Sequence, residues 1–248
     1  MPLGGGRGLA WRAGDVVLKP AGESEAALVW QARALALARP DDVRVARPLA
    51  AIGGAFVVGG WSASTLCAGR HEPRRWLDVI EAGRRLHRAL APVDRPDFLD
   101  ARTDPWAVAD RAAWSEIALD PFRGSPLVER LESRLGPVRA SPQVIHGDLT
   151  GNVLFADPLP PAVIDLSVYW RPAEYATAIV IADALAWEGA VPDDLAPAFE
   201  TADFGQLLAR ALLFRNIADL VADRGSSNQL ANAYARAVDL AVRLTPNA

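Results

Sequence analysis

The spacing of apolar and polar residues changes along the chain, from strand-like alternation in the first 62 residues to helical periodicity afterwards. LAWR and VVLK, either side of Ala13-Gly14-Asp15, predict two short strands joined by a turn. A helix is predicted from Glu23 to Ala38, where Pro40 ends the pattern. A second hairpin is predicted across Gly53-Gly54, followed by a small, polar loop from Trp61 to Gly69.

Beyond residue 70 the pattern is mostly helical. The predicted helices are Pro73–Leu90, Pro105–Leu119, Pro126–Leu135, Glu174–Trp187, Asp193–Phe199, Phe204–Ala222 and Ser226–Leu244. Strand signals return only at 144–145, 153–155 and 162–165, where a loop and a proline-rich turn separate them. We therefore predict an α+β fold with a small sheet-rich lobe at 1–62 and a larger helical lobe at 63–248 that carries one β-hairpin.

Composition narrows the possible functions. The 248 residues are 51% hydrophobic and 23% charged, which indicates a folded globular protein and excludes a disordered one. With a net charge of -4, the chain lacks the positive field of a nucleic-acid binder or of a polybasic membrane binder. The N-terminus has no signal-peptide core, the single cysteine, Cys67, cannot form an internal disulfide, and no apolar run could span a membrane. We expect a cytoplasmic protein without an obligate protein partner.

The strongest chemical pattern is HGDLTGNVLF, followed shortly by IDLS. It places Asp148, Asn152 and Asp165 on the loops and strand ends of one small hairpin, with His146 at its entrance. Phosphoryl transfer needs a carboxylate to deprotonate the acceptor hydroxyl, and an amide with a second carboxylate to hold Mg²⁺. Taken singly, such residues are common turn formers that bond their local backbone. As a set they predict Asp148 as the base and Asn152 and Asp165 as metal ligands.

The basic residues are nearly all arginine, and Lys19 is the only lysine among 26. A position that keeps lysine in so arginine-rich a chain is expected where a compact ammonium group is required, because a planar guanidinium cannot replace it. Chance survival of one lysine is the alternative. The pattern alone leaves both interpretations open.

The order of these elements and the HGD, N and ID motifs resemble the aminoglycoside phosphotransferases and related small-molecule kinases of the protein-kinase-like fold. The resemblance extends over nearly the whole chain. It implies an ATP site between two lobes, in which Lys19 pairs with the α- and β-phosphates. It also implies that an acidic residue of the first helix holds this lysine, with Glu25 the first candidate and Glu23 the second.

The resemblance further implies a glycine loop over the phosphates and a hinge that bonds the adenine. The backbone N–H groups of the loop would approach the anion with no side chain in the way. The glycines of this loop would be Gly4, Gly5, Gly6 and Gly8. The hinge would lie at Val58 to Trp61, with Gly60 and Trp61 at the nucleotide.

Three features depart from the family pattern. Only three residues precede the glycines, so the usual first strand is absent or reduced to a stub. The step from Asp148 to Asn152 is four positions, whereas the family usually has five, and one residue fewer can displace the amide by up to about 3.5 Å. Asp165 is followed by Leu-Ser, which resembles the small-molecule kinases more than the protein kinases.

The sequence thus predicts an ATP- and Mg²⁺-dependent phosphotransferase acting on a hydroxyl of a small molecule, either aminoglycoside-like or a metabolite. The alternative is a pseudokinase or nucleotide-binding module, which the stub strand and the short loop motivate. A purely structural helical protein would leave Lys19 and the HGD motif unexplained. Arg171 and Glu174 are predicted to form a structural ion pair, or else the rim of the acceptor pocket. Acidic residues of the helical part would suit a cationic acceptor or else simply form solvated helix faces: Asp183, Glu188, Asp193, Asp194, Asp219 and Asp223.

Overall fold

The computed structural model describes residues 1–3, 9–199 and 201–245. The chain divides into two compact units. The first consists of Met1–Glu72, Glu81–Phe98 and Gln143–Trp170, and the second of Pro73–Ile80, Leu99–Pro142 and Arg171–Ala248. The segment carrying the HGD motif therefore belongs to the same unit as the N-terminal sheet.

The strands belong to the first unit. They are β1 (Trp11–Ala13), β2 (Val16–Pro20), β3 (Arg44–Val45), β4 (Pro48–Leu49), β5 (Val57–Val58), β6 (Trp61–Thr65), β7 (Gln143–His146), β8 (Val153–Ala156), β9 (Leu159–Val163) and β10 (Val168–Arg171), the last of which ends one residue into the second unit. The main sheet has the order β1-β2-β6-β4, and β5 pairs with β6. Pro2 forms an isolated antiparallel bridge with Trp11.

The prediction of a loop from Trp61 to Gly69 is wrong, because Trp61–Thr65 forms the central strand β6. After Trp61 the residues are small or carry a hydroxyl group (SAST), so this segment has little apolar alternation. Its conformation comes instead from pairing on both sides. Ser62 lies opposite Lys19 of β2, and Ala63 lies opposite Leu49 of β4. Tertiary pairing has overridden a weak local pattern.

A smaller three-stranded sheet places the HGD hairpin. Strands β8 and β9 form the hairpin, and β3 joins it in parallel, with Arg44 opposite Ala162 and Val45 opposite Val163. Strand β7 pairs with β10. Because β3 comes from the N-terminal part of the chain, this pairing joins the hairpin to the N-terminal segment of the first unit.

Two helices flank these sheets. Helix α1 (Glu25–Ala38) begins at Ser24, whose hydroxyl accepts a hydrogen bond from Ala27 N at 3.2 Å, and ends at Arg39 in a left-handed conformation. Helix α2 (Trp76–Leu90) starts three residues later than predicted, and its residues from Glu81 onward belong to the first unit.

The second unit is mostly helical. Its helices are α3 (Pro105–Ala113), α4 (Pro126–Glu132), α5 (Ala173–Trp187), α6 (Pro192–Leu195), α7 (Phe204–Val221) and α8 (Ser227–Leu244). Helices α3, α5 and α8 pack against α7, and both α5 and α7 are buried over most of their circumference. Helix α3 ends before the predicted Leu119, because Ser115 turns the chain with a φ of 59°. Within the described ranges, no helix is long and apolar enough to cross a membrane.

The predicted ion pair between Arg171 and Glu174 is not formed. Arg171 instead donates to Asp110 (Nη2–Oδ2, 2.7 Å) and to Glu116 (Nη1–Oε1, 2.6 Å). Asp110 is nearly buried on α3 and requires a cationic partner. Glu174 lies in the first turn of α5, where the helix dipole already favours an acidic residue.

Candidate active site

The backbone of the hairpin brings the three predicted site residues of the HGD and ID motifs to one end of it. Asp148 follows β7, and Asn152 immediately precedes β8. Ile164 N donates to Asn152 O at 2.9 Å, which extends the β8–β9 ladder by one pair. Asp165 is the next residue, so it lies beside the loop that carries Asp148 and Asn152.

The short step from Asp148 to Asn152 is accommodated by a tight turn. Asn152 N donates to Leu149 O at 2.9 Å, and Gly151, at the third position of this turn, has a φ of 78°. The Asn152 side chain then reaches back, with Nδ2 donating to Asp148 O at 2.7 Å and to Asp148 Oδ2 at 3.3 Å. Because both partners only accept, the amide nitrogen faces Asp148 and the amide oxygen Oδ1 faces away from it.

His146 connects this loop to both sides of Asp165. Its buried Nδ1 accepts hydrogen bonds from Asp148 N at 3.2 Å and from Ser167 N at 3.3 Å. Its Nε2 therefore carries the proton and donates to Ile164 O at 3.2 Å. One neutral ring fixes the start of the Asp148 loop and the residues before and after the second carboxylate.

His87 on α2 forms a hydrogen bond with His146, and no motif in the sequence singles it out. It is 2% exposed, and its Nε2 accepts a hydrogen bond from His146 N at 3.0 Å. Its backbone oxygen accepts from Gln143 Nε2 at 2.8 Å. Burial, and secondarily the nearby His146, lowers the pKa of His87 to about 3. His87 is therefore neutral at physiological pH and can act as an acceptor.

The glycine of the HGD motif is required by close packing. A Cβ atom added at Gly147 would lie 2.5 Å from Cδ2 and 2.7 Å from Cε2 of Tyr169. Tyr169 is a buried residue of β10, and buried side chains are close-packed, so its ring cannot shift without disturbing its neighbours. The bare backbone at this position allows β10 to lie against the entrance of the Asp148 loop.

Lys19, on β2, forms an ion pair with Asp165, 146 positions away in the sequence. Its side chain is 35% exposed and that of Asp165 is 53% exposed, so both remain accessible to a ligand. This contact brings the only lysine of the chain into the same cluster as the HGD and ID residues.

The expected pairing of Lys19 with Glu25 is not made. Glu25 lies in the first turn of α1, and its two carboxylate oxygens accept hydrogen bonds from Phe56 N and Val57 N, each at 2.7 Å. These two charge-assisted bonds satisfy the carboxylate and hold it at the start of β5. Glu23, the second candidate, accepts a hydrogen bond from Gln31 instead.

Some of the remaining predicted nucleotide contacts lie outside the described residues, and the others are placed differently. Gly4, Gly5, Gly6 and Gly8 lie outside the described residues. Gly60 is in the two-residue turn between β5 and β6, where Val58 pairs with Trp61. This segment is a closed β-hairpin and does not form the expected hinge. The chain leaves the sheet only after Thr65, and Arg70 then pairs with Phe155 of β8.

Comparison with known proteins identifies the family. Residues 9–214 match the sequence model of the APH phosphotransferase enzyme family. The chain belongs to this family. This membership supports the prediction of an ATP-dependent phosphotransferase that acts on a hydroxyl of a small molecule, and it does not favour the pseudokinase alternative. No curated protein matches the chain significantly by sequence.

Solved structures show the fold of this phosphotransferase. An aminoglycoside phosphotransferase from Alicyclobacillus acidocaldarius subsp. acidocaldarius DSM 446 is 16% identical, with a TM-score of 0.56 over 95% of this chain and 90% of that one. A thermostable mutant of aminoglycoside phosphotransferase APH(4)-Ia, in complex with AMP-PNP and hygromycin B, is 14% identical, with a TM-score of 0.62 over 100% and 94%. Amicoumacin kinase hAmiN is 15% identical, with a TM-score of 0.62 over 94% and 84%. The predicted protein-kinase-like fold is confirmed.

Proposed function

We propose that Asp148, Asn152, Asp165 and Lys19 carry the phosphoryl transfer, which moves the γ-phosphoryl group of ATP to a hydroxyl of a small polar molecule. The observation that supports this assignment is their convergence. Backbone pairing brings Asn152 beside the Asp165 segment, a hydrogen bond joins Asn152 to Asp148, and an ion pair joins Lys19 to Asp165. Each residue type matches one requirement of phosphoryl transfer.

Asp148 serves as the base. Its carboxylate is oriented from two sides, by the Asn152 amide at Oδ2 and by His146, which holds its backbone N–H. As the acceptor oxygen forms its bond to the γ-phosphorus, Asp148 takes the hydroxyl proton, and the bond from that phosphorus to the β–γ bridging oxygen breaks to release ADP. Positioned proton transfer of this kind contributes roughly 10² to 10⁴-fold to the rate.

Asn152 and Asp165 have the donor chemistry of a magnesium site. The Asn152 amide nitrogen is committed to Asp148, which leaves its oxygen for a cation, and Asp165 contributes a carboxylate on a half-exposed side chain. Amide and carboxylate oxygens are the ligands that Mg²⁺ takes from proteins alongside substrate phosphates. Bound there, Mg²⁺ would neutralise charge on the phosphate oxygens.

Lys19 binds the nucleotide phosphates through its three ammonium N–H groups. Its placement opposite Ser62 in the middle of the main sheet fixes the base of the side chain. Because Glu25 is bound to the backbone of β5, the counter-charge that orients the ammonium group is Asp165.

The acceptor is a small molecule, and we propose a polar antibiotic or a related hydroxyl-bearing metabolite. Solved structures of the same fold contain hygromycin B, spectinomycin or amicoumacin beside nucleotides. One of the acidic residues expected to attract a cationic acceptor is already neutralised, because Arg215 donates to both oxygens of Asp183 at 2.9 and 2.6 Å. Asp183 therefore gives no support for a cationic acceptor.

The assignment is tested by separating the base from the metal ligand. Asp148→Asn is expected to retain Mg²⁺–ATP binding, measured by the thermal shift of unfolding, while acceptor-dependent ADP release falls at least about 100-fold. Asp165→Ala is expected to weaken the Mg²⁺ dependence of nucleotide binding itself. Wild-type turnover in Asp148→Asn with a competent acceptor, or an unchanged Mg²⁺ dependence in Asp165→Ala, would refute the respective role.

A further inference from the structure

Gln31 is a buried polar residue of α1 that the proposed mechanism does not use. It is 4% exposed, and its Nε2 donates two hydrogen bonds, one to the Glu23 carboxylate and one to Leu166 O at 3.2 Å. Leu166 directly follows Asp165. The amide thus connects helix α1 to the backbone of the proposed metal-binding segment, across 135 positions of sequence.

The chemistry of the two partners fixes the orientation of the Gln31 amide. A carboxylate and a backbone carbonyl can only accept hydrogen bonds, so the NH₂ group must face both of them. Both bonds would be lost if the amide were reversed. The side chain is therefore set by its surroundings, and the negative Glu23 makes one of its two bonds charge-assisted.

The Asp165 backbone needs such support. Its φ of 51° is in the left-handed region, which is uncommon for a residue other than glycine. Its side chain is 53% exposed, so packing does not fix it. The conformation is instead maintained by the neighbours of Asp165, with Leu166 buried and its carbonyl bound by Gln31, and with His146 bonded to Ile164 O and Ser167 N.

We propose that Gln31 is a positioning residue that sets the direction of the Asp165 carboxylate by holding the carbonyl of Leu166. The proposal rests on the proposed role of Asp165 as a metal ligand. It assigns the connection between α1 and the metal segment to a neutral amide. Glu25, the acidic residue expected to provide that connection through Lys19, is bound to Phe56 and Val57 instead.

Two substitutions of Gln31 separate positioning from general packing. Gln31→Met keeps the length of the side chain and removes the donor. Gln31→Glu keeps the shape but places carboxylate oxygens against two acceptors, which raises the pKa of the introduced carboxyl above its ordinary value of about 4.3. Protonation at lower pH returns one O–H donor to the site. The defect of Gln31→Glu should therefore diminish as the pH falls, and that of Gln31→Met should not.

Gln206 offers a matched control in the second unit. It is also a glutamine whose Nε2 donates to a backbone carbonyl, Arg134 O at 2.8 Å, and whose Oε1 accepts from Gly136 N at 2.7 Å. Replacing it by Met or Glu removes a comparable bond from a region that does not include Asp165 or Lys19. Any effect of lost stability alone should be seen in both pairs of variants.

The experiment measures the thermal stabilisation of the protein by ATP as a function of Mg²⁺ concentration at pH 8 and pH 6. We expect Gln31→Met to raise the half-saturating Mg²⁺ concentration about three- to tenfold at both pH values, as loss of one buried hydrogen bond implies. Gln31→Glu should show at least this increase at pH 8 and a smaller one at pH 6. The Gln206 variants should leave the half-saturating concentration unchanged. If neither Gln31 variant folds, Glu23→Ala, which removes the orienting carboxylate, should raise it about two- to threefold.

The outcomes distinguish this inference from the proposed function. A wild-type Mg²⁺ response in Gln31→Met, or in Glu23→Ala where the Gln31 variants do not fold, overturns the positioning role, provided that Asp165→Ala weakens the response. An equal shift of the Mg²⁺ response in the Gln206 variants would also overturn the positioning role. If Asp165→Ala itself leaves the Mg²⁺ dependence unchanged, the metal assignment fails first.

Discussion

The buried histidine behind the active-site loop makes stability depend on pH in a calculable way. His87 accepts the backbone N–H of His146 and must be neutral to do so. Its pKa is lowered to about 3 in the folded protein, first by burial and then by His146, whereas an unfolded chain has a histidine pKa of about 6.5. Between these values the unfolded state binds more protons than the folded state, so stability falls as the pH falls.

The size of the effect follows from the two pKa values. The His87 contribution is complete above pH 6.5 and decreases until the pH reaches the folded-state value of about 3. At pH 5 the unfolded state gains about RT ln(1 + 10^1.5), which is about 2 kcal/mol. His87→Gln keeps an oxygen acceptor at this position and does not titrate, so it should lack this component of the pH dependence.

Urea unfolding at pH 7.5 and pH 5.0 measures the difference. The wild-type free energy of unfolding should decrease between these values by about 2 kcal/mol more than that of His87→Gln. Carboxylates contribute equally to both proteins and cancel in the comparison. His71→Gln, at an exposed histidine, should behave as wild type. Equal decreases in wild type and His87→Gln would show that His87 is not held neutral by the fold.

Three further predictions concern the surrounding contacts. Lys19→Arg should lose most of the stabilisation by Mg²⁺–ATP, which is about 2.7 kcal/mol for a ligand at 100 times its Kd, with little change in the nucleotide-free Tm; full stabilisation would mean that the ammonium group is not required. Gly147→Ala should cost about 1 to 3 kcal/mol in urea unfolding, because the added methyl meets the Tyr169 ring, and a neutral effect would contradict the packing described. Arg171→Gln should cost about 3 to 5 kcal/mol by leaving a buried carboxylate unpaired, whereas Glu116→Gln, at a half-exposed partner, should cost less than about 1 kcal/mol; equal losses would argue against the buried pair.

Features with a strong local pattern could be predicted from the sequence. The helix predicted at 174–187 is found at Ala173–Trp187, and the HGD hairpin lies where its alternating residues and turn placed it. The chemistry-bearing residues of the HGD and ID motifs could be grouped because they lie at the ends of the short consecutive strands β7, β8 and β9.

Features decided by tertiary contacts could not be predicted. Strand β6 has little alternation and exists because two neighbours pair with it. The carboxylate that pairs with Lys19 could not be predicted, because Glu25 accepts hydrogen bonds from backbone N–H groups 31 and 32 positions away in the sequence. Gln31 and His87 lie in helices that also carry charged residues, and nothing in sequence spacing distinguishes a buried hydrogen-bonding residue from a solvated one.

The most direct test of the phosphotransferase assignment follows the phosphoryl group itself. The full chain is incubated with ATP labelled at the γ-phosphate, Mg²⁺ and a panel of hydroxyl-bearing polar antibiotics, and the labelled product is identified by mass spectrometry. The account predicts label on a hydroxyl of a small molecule with the wild-type chain, and at least about 100-fold less with Asp148→Asn. Label that appears only as inorganic phosphate, or transfer at an equal rate by Asp148→Asn, would contradict it.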